Sequence, residues 1–154
     1  MIISIQELKN KFLKTKYFID NEYLDLYLDL ININLNTKKE KYKTSRHHIF
    51  PIALSKILKL DIDNSDQNLV NLLHKDHLLS HYYLALCSLD EFKYKMCCAL
   101  YFLSGHIITY NPDIKEEDLK IFLNNLDEYQ KLQEYYKREA SVRNKGKKIP
   151  KEIV

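Results

Sequence analysis

Five polar residues in one stretch of this chain have types and spacing that could do chemistry together: His47, His48, Asn68, His77 and His81. They fall within Arg46 to Tyr82, which reads RHHIFPIALSKILKLDIDNSDQNLVNLLHKDHLLSHY. Imidazole titrates near neutrality, so it can take a proton from water or, when neutral, hold a divalent cation. An amide such as that of Asn68 can orient a base without competing for its proton. A cation held by imidazoles beside a histidine base is what metal-assisted phosphodiester cleavage needs. Charge builds on the phosphate and the leaving oxygen while water loses a proton.

Those residues need elements to position them. From Thr44 to Phe50 the residues are β-branched, aromatic or polar, and Pro51 ends the run, which predicts a short strand. Asn68 to Leu73 predicts a second. Helical spacing takes over at about Lys75, with Leu78, Leu79, Tyr82 and Leu86 recurring at three and four. Side chains at i and i+4 share a helix face, with β-carbons roughly 6 Å apart, so His77 and His81 can grip one ion. Strand alternation sends His47 and His48 to opposite faces, one toward the helix and the metal, the other toward a substrate.

With these residues in view, the stretch resembles the HNH nuclease motif, the ββα-metal (His-Me finger) fold. The similarity is to the His-His form found in phage-type and homing-type enzymes, whose signature is H-H-I-x-P, then N-L-V-x-L, then E/D-H-x-x-x-H. Here the corresponding strings are His47-His48-Ile49-Phe50-Pro51, Asn68-Leu69-Val70-Asn71-Leu72 and Asp76-His77-Leu78-Leu79-Ser80-His81. The match covers about a quarter of the chain. The resemblance implies metal ligation by His47, His77 and His81. It implies a catalytic pair in which His48 is the general base and Asn68 fixes the base's loop or ring. It further implies a DNA endonuclease, a phosphodiester hydrolase leaving 5′-phosphate and 3′-hydroxyl ends, with magnesium or manganese as the working ion. Zinc or nickel would bind the imidazoles more tightly. The chain departs from the family in its insert, Ile52 to Gln67, which has no glycine and reads as a short helix (Leu54, Ile57, Leu58) followed by an Asp/Asn-rich loop. No Cys-x-x-Cys pairs flank the motif, so the zinc-stapled variant is excluded.

A different class fits the same histidines: a non-catalytic DNA-binding protein with a structural zinc, since three imidazoles suit zinc better than magnesium. That reading leaves His48 without a role. A secreted toxin nuclease would need a delivery domain, for which this chain has neither signal nor room. His74 reads as a solvated residue near a helix start, His106 as a helix-end histidine after Gly105, and Asn71 as structural.

The chain's 154 residues, 45% hydrophobic, suit one domain with a modest core. Only 2 Gly and 3 Pro argue for a mostly helical α+β protein with few tight turns. No signal pattern or transmembrane-length run is present, which predicts an intracellular, cytoplasmic protein with no membrane partner. Cys87, Cys97 and Cys98 read as small apolar groups in a reducing compartment.

Four segments follow. Residues 1–36 form an N-terminal helical segment. Within it Ser4 to Lys16 and Asn21 to Asn34 are helices, silent in function beyond supplying core. Residues 44–88 form the ββα-metal core. Residues 89–143 are C-terminal helices, with Asp90 to Ser104 stopped by Gly105, a turn at Pro112, and one long helix from about Lys115 to Arg143. Residues 144–154 are a basic tail. Net charge is only +3, but cations concentrate in the linker before the first strand and in the tail. Lys39, Lys41, Lys43, Arg143, Lys145, Lys147 and Lys148 are therefore the phosphate-contact candidates for a DNA partner. The string Ser141 to Lys148 also resembles the opening of a nuclease-associated modular DNA-binding motif, S-x-x-N-K-G-K-K. With one active site per chain, a monomer would nick and a homodimer would cut both strands.

Overall fold

The structure is a computed structural model and describes residues 4–38 and 44–144. It is α+β and mostly helical, with one small antiparallel sheet. In chain order come α1 (Ile5–Lys14), α2 (Glu22–Leu35), β1 (Thr44–His48), α3 (Ile52–Ile57), β2 (Leu69–Leu73), α4 (His74–Leu86), α5 (Asp90–Tyr110), α6 (Glu116–Asn124) and α7 (Tyr129–Asn144).

The first two helices begin where their caps dictate. Ser4 Oγ accepts the Glu7 N–H at the start of α1, and Asn21 Oδ1 accepts from Tyr23 and Leu24 at the start of α2. With so few glycines, the left-handed positions after α1 and α3 fall on Lys16 (φ 67°) and Lys59 (φ 58°), each costing about 1 kcal/mol. Phe12 of α1 stacks on Phe18 at 4.7 Å and on Phe50 at 5.7 Å, and lies 6.0 Å from the Tyr27 ring of α2. This aromatic cluster packs directly behind the residues that follow β1. Asn21 Nδ2 donates to the Leu86 carbonyl, tying the start of α2 to the end of α4.

β1 and β2 pair in a register that sets Ser45 opposite Leu72, His47 opposite Val70 and His48 opposite Leu69. Asn68 ends a 3-10 turn (Asp66–Asn68), and its carbonyl accepts the Ile49 N–H, extending the pairing by one rung. The chain runs from β2 into α4 without a loop, so β1, β2 and α4 form one unit.

Two helix boundaries differ from the sequence expectation. Gly105 does not stop α5, which continues to Tyr110. A mid-helix glycine costs only about 1 kcal/mol, whereas Pro112 disfavours helical backbone at Asn111, and that is where the helix ends. The long C-terminal helix is also two. α6 ends at Asn124, and the Glu128 N–H, freed from helical bonding, donates to the Tyr82 hydroxyl of α4 at 3.0 Å. The apolar stripe runs on through the break because Leu119, Leu123, Tyr129 and Leu132 are all buried. α7 packs back on α5 through Tyr136, stacked on Tyr101 at 4.5 Å. Among the described residues no helix is long and apolar enough to cross a membrane.

Candidate metal centre

His47, on the inward face of β1, meets His77 and His81 on one face of α4. One ligand nitrogen from each lies within 4.8 Å of the other two, close enough to bind a metal ion. The ring centroids are 5.0 to 5.5 Å apart. Local geometry explains the meeting: the i,i+4 spacing aligns the two helical rings, and β1 lies across them because β2 leads straight into α4. His47 and His77 are buried, and His81 is half-buried.

Electrostatics keep these rings in their ligating form. Burial, then the charge of neighbouring histidines, holds His47 well below its ordinary pKa. The same causes push His77 down to about 3, and burial pushes His81 down to about 4. All three are neutral at pH 7, with lone pairs available. His81 Nδ1 is buried and has no hydrogen-bond partner among the described residues. A buried orphan nitrogen beside two other neutral imidazoles fits a metal ion and is otherwise unfavourable.

The rings are held from behind. Tyr27 Oη of α2 lies 2.8 Å from His47 Nε2 and donates to the Ile49 carbonyl, also at 2.8 Å. Ser45 Oγ, two residues before His47 on the same strand face, lies 2.6 Å from His77 Nδ1. Sequence reasoning assigned neither residue to the site and read α2 as core alone. Tyr27 does fill core, being fully buried, but its hydroxyl end reaches the metal ligand.

His48, the next residue along β1, is partly exposed and stands outside the trio. Its Nε2 lies 2.8 Å from Asn64 Oδ1. An amide oxygen only accepts, so Nε2 of His48 carries a proton, and in the neutral ring the lone pair falls on Nδ1. Asn64 sits in the loop after α3, shaped by Asp63 Oδ1 accepting the Ser65 N–H at 2.9 Å. The Ser65 hydroxyl, and then that bond, lower the Asp63 pKa. Asn64 was also missed. The Asp/Asn-rich composition of its loop was the available signal, and only packing decides which amide faces the ring.

Asn68 is buried and makes no bond to the His48 ring. Its Oδ1 accepts the Phe50 N–H at 2.7 Å, and its Nδ2 donates to the Phe50 carbonyl at 3.3 Å and the Asp63 carbonyl at 2.8 Å. It therefore joins the backbone just after His48 to the loop that carries Asn64.

An open cleft of about 790 Å³ runs past these residues. His47, His48, His77 and His81 line it together with the cations Arg46, Lys56 and Lys95, and Phe102 stands at its edge, 78% exposed. Of the phosphate-contact candidates, Arg143 is described. Its guanidinium bonds Glu91 Oε2 at 2.9 Å, lies 3.6 Å from Glu139 and covers the Tyr94 ring at 3.9 Å. Lys39, Lys41, Lys43, Lys145, Lys147 and Lys148 lie outside the described residues. His74 opens α4 half-buried rather than solvated, with its Nδ1 lacking a partner among the described residues.

Comparison with models of known families, with curated proteins and with solved structures finds no match to this chain. Any functional reading therefore stands on the residues themselves.

Proposed function

We propose that this chain is a metal-dependent DNA endonuclease of the HNH type, hydrolysing phosphodiester bonds with His48 as general base. The observation that carries the reading is the division of labour between adjacent residues. His47 joins His77 and His81 in a set of ligands, while His48 stays outside it, oriented by Asn64 and facing the same cleft. The succession of β1, β2 and α4, with α3 inserted between the strands, supports the reading of a ββα-metal core.

A bound divalent ion would supply Lewis-acid stabilisation of charge on the phosphate and the departing 3′ oxygen. His47, His77 and His81 would hold it. His48 Nδ1 takes a proton from water, and the Asn64 amide fixes the ring's tautomer and aim. Arg46, Lys56 and Lys95 lie where backbone phosphates would enter the cleft. Asn68 acts on the backbone, holding the turn after His48 against the Asn64 loop. The family resemblance favours magnesium or manganese as the working ion. The nitrogen donor set favours tighter binding of zinc or nickel.

The structural-zinc reading draws support from the same nitrogen donors. Against it, structural zinc sites are closed by four protein ligands, and among the described residues only three groups converge here. Three protein ligands would leave a coordination position for a substrate.

Plasmid cleavage with magnesium, manganese, zinc or EDTA, running wild type beside His48→Ala, tests the proposal. Metal-dependent nicking or linearisation that is lost in the variant, with DNA binding retained, is the expected result. Equal activity in both proteins removes His48 from the mechanism. DNA and metal binding without cleavage under any ion favours the structural-zinc reading.

A further inference from the structure

Tyr27 contributes one hydroxyl proton and meets two partners, His47 Nε2 and the Ile49 carbonyl, each at 2.8 Å. A carbonyl oxygen can only accept. Both contacts are hydrogen bonds in one arrangement only: Tyr27 donates to Ile49, and His47 Nε2–H donates to the Tyr27 oxygen. The ring of Tyr27 cannot turn away, because it is fully buried against Phe12 and borne on α2, whose start Asn21 caps and ties to α4.

We infer that Tyr27 is a positioning residue for the metal centre, holding His47 as the Nε2–H tautomer so that Nδ1 is its ligating nitrogen. This rests on the metal-binding reading of the trio and is independent of the reaction proposed for it. A ligating histidine commonly donates its second N–H to a fixed acceptor, which settles the tautomer and raises the basicity of the ligand. Without such a partner the neutral ring exchanges between two tautomers, and one of them sets N–H rather than a lone pair toward the ion. The Tyr27 hydroxyl, at the tip of a buried ring of α2, thus joins the N-terminal segment to the site. Ser45 Oγ lies 2.6 Å from His77 Nδ1, and where it accepts the N–H of that nitrogen the lone pair of the ring falls on Nε2.

Two measurements on the intact chain test this. The first is long-range 1H–15N correlation NMR of the histidine rings in the metal-free protein at pH 7.5. His47 is expected as the Nε2–H tautomer in wild type and as a mixture in Tyr27→Phe, which keeps the ring and removes the hydroxyl. The second is titration with Co2+ alone, read by its d–d absorption. Tyr27→Phe is expected to bind about 10- to 100-fold more weakly, with an altered band pattern. An Nδ1–H tautomer at His47 in wild type overturns the proposal, and that readout needs no variant to fold. Equal Co2+ affinity and spectra in the two proteins also overturn it, while leaving the metal centre standing. Absence of Co2+ binding to wild type removes the metal reading and the proposal with it.

Discussion

Asn68 and Phe50 exchange two hydrogen bonds across 18 residues: the amide accepts the Phe50 N–H at 2.7 Å and donates to the Phe50 carbonyl at 3.3 Å. A side chain here does the work of a strand partner, continuing the β1–β2 ladder past its last rung. The third bond, to the Asp63 carbonyl, closes the loop that bears Asn64. Asn68→Ala would leave a buried Phe50 N–H unsatisfied. It is expected to destabilise the protein by roughly 2–4 kcal/mol, measured by urea denaturation. A loss below about 0.5 kcal/mol would show that the loop is held by other contacts.

The trio should lose metal when any member is removed. His77→Ala and His81→Ala are each expected to weaken Zn2+ binding by about 100-fold or more, since changing an outer-shell partner alone costs 10- to 100-fold. His74→Ala, outside the trio, is the control and should bind as wild type does. Competition against a chromophoric chelator reads all three. Retention of wild-type affinity in His77→Ala would dissolve the cluster as a binding site.

Acid should destabilise the metal-free protein before its carboxylates titrate. His47, His77 and His81 have folded pKa values depressed below the unfolded value near 6.5, so the folded state binds fewer protons than the unfolded one. Their effect on stability is flat above about pH 7. As pH falls below 6.5, the unfolded chain takes up protons that the folded chain refuses, and stability drops until the folded pKa values are reached. From pH 7 to 5.5 the loss should be roughly 1 kcal/mol for each ring that stays neutral. Chemical denaturation at the two pH values checks this, and equal stability at both would contradict neutral burial of the trio.

Arg143 clamps the end of α7 to the start of α5 through Glu91 and the Tyr94 face. The pair is partly exposed, so Arg143→Ala is expected to cost no more than about 1 kcal/mol. The cost should shrink in high salt. If Arg143 also contacts phosphate, as its place in a basic run suggests, the variant will lower DNA affinity and flatten its salt dependence. Fluorescence anisotropy across a salt series reads that second effect, and an unchanged slope confines Arg143 to the clamp.

The residues of this site divide by how far their partners lie along the chain. His77 and His81 were legible because helical periodicity aligns i and i+4, and the split between His47 and His48 because a strand alternates. The starts of the first two helices, at Ser4 and Asn21, were legible from the same helical periodicity. Local rules failed where a neighbour overrode them. Pro112, not Gly105, ends α5, and Tyr82 of α4 takes the N–H at the break between α6 and α7. Tyr27, Ser45 and Asn64 meet their histidines across 20, 32 and 16 residues. No period in the sequence distinguishes Tyr27 from the other apolar residues of α2. Its hydroxyl found His47 because the packing of α2 behind the sheet leaves one buried donor and one buried acceptor within reach, and a buried polar group must be paired. The sequence by itself determined which histidines could share an ion. Tertiary packing decided which side chains hold them, because hydrogen bonds between distant elements exist only once those elements are packed.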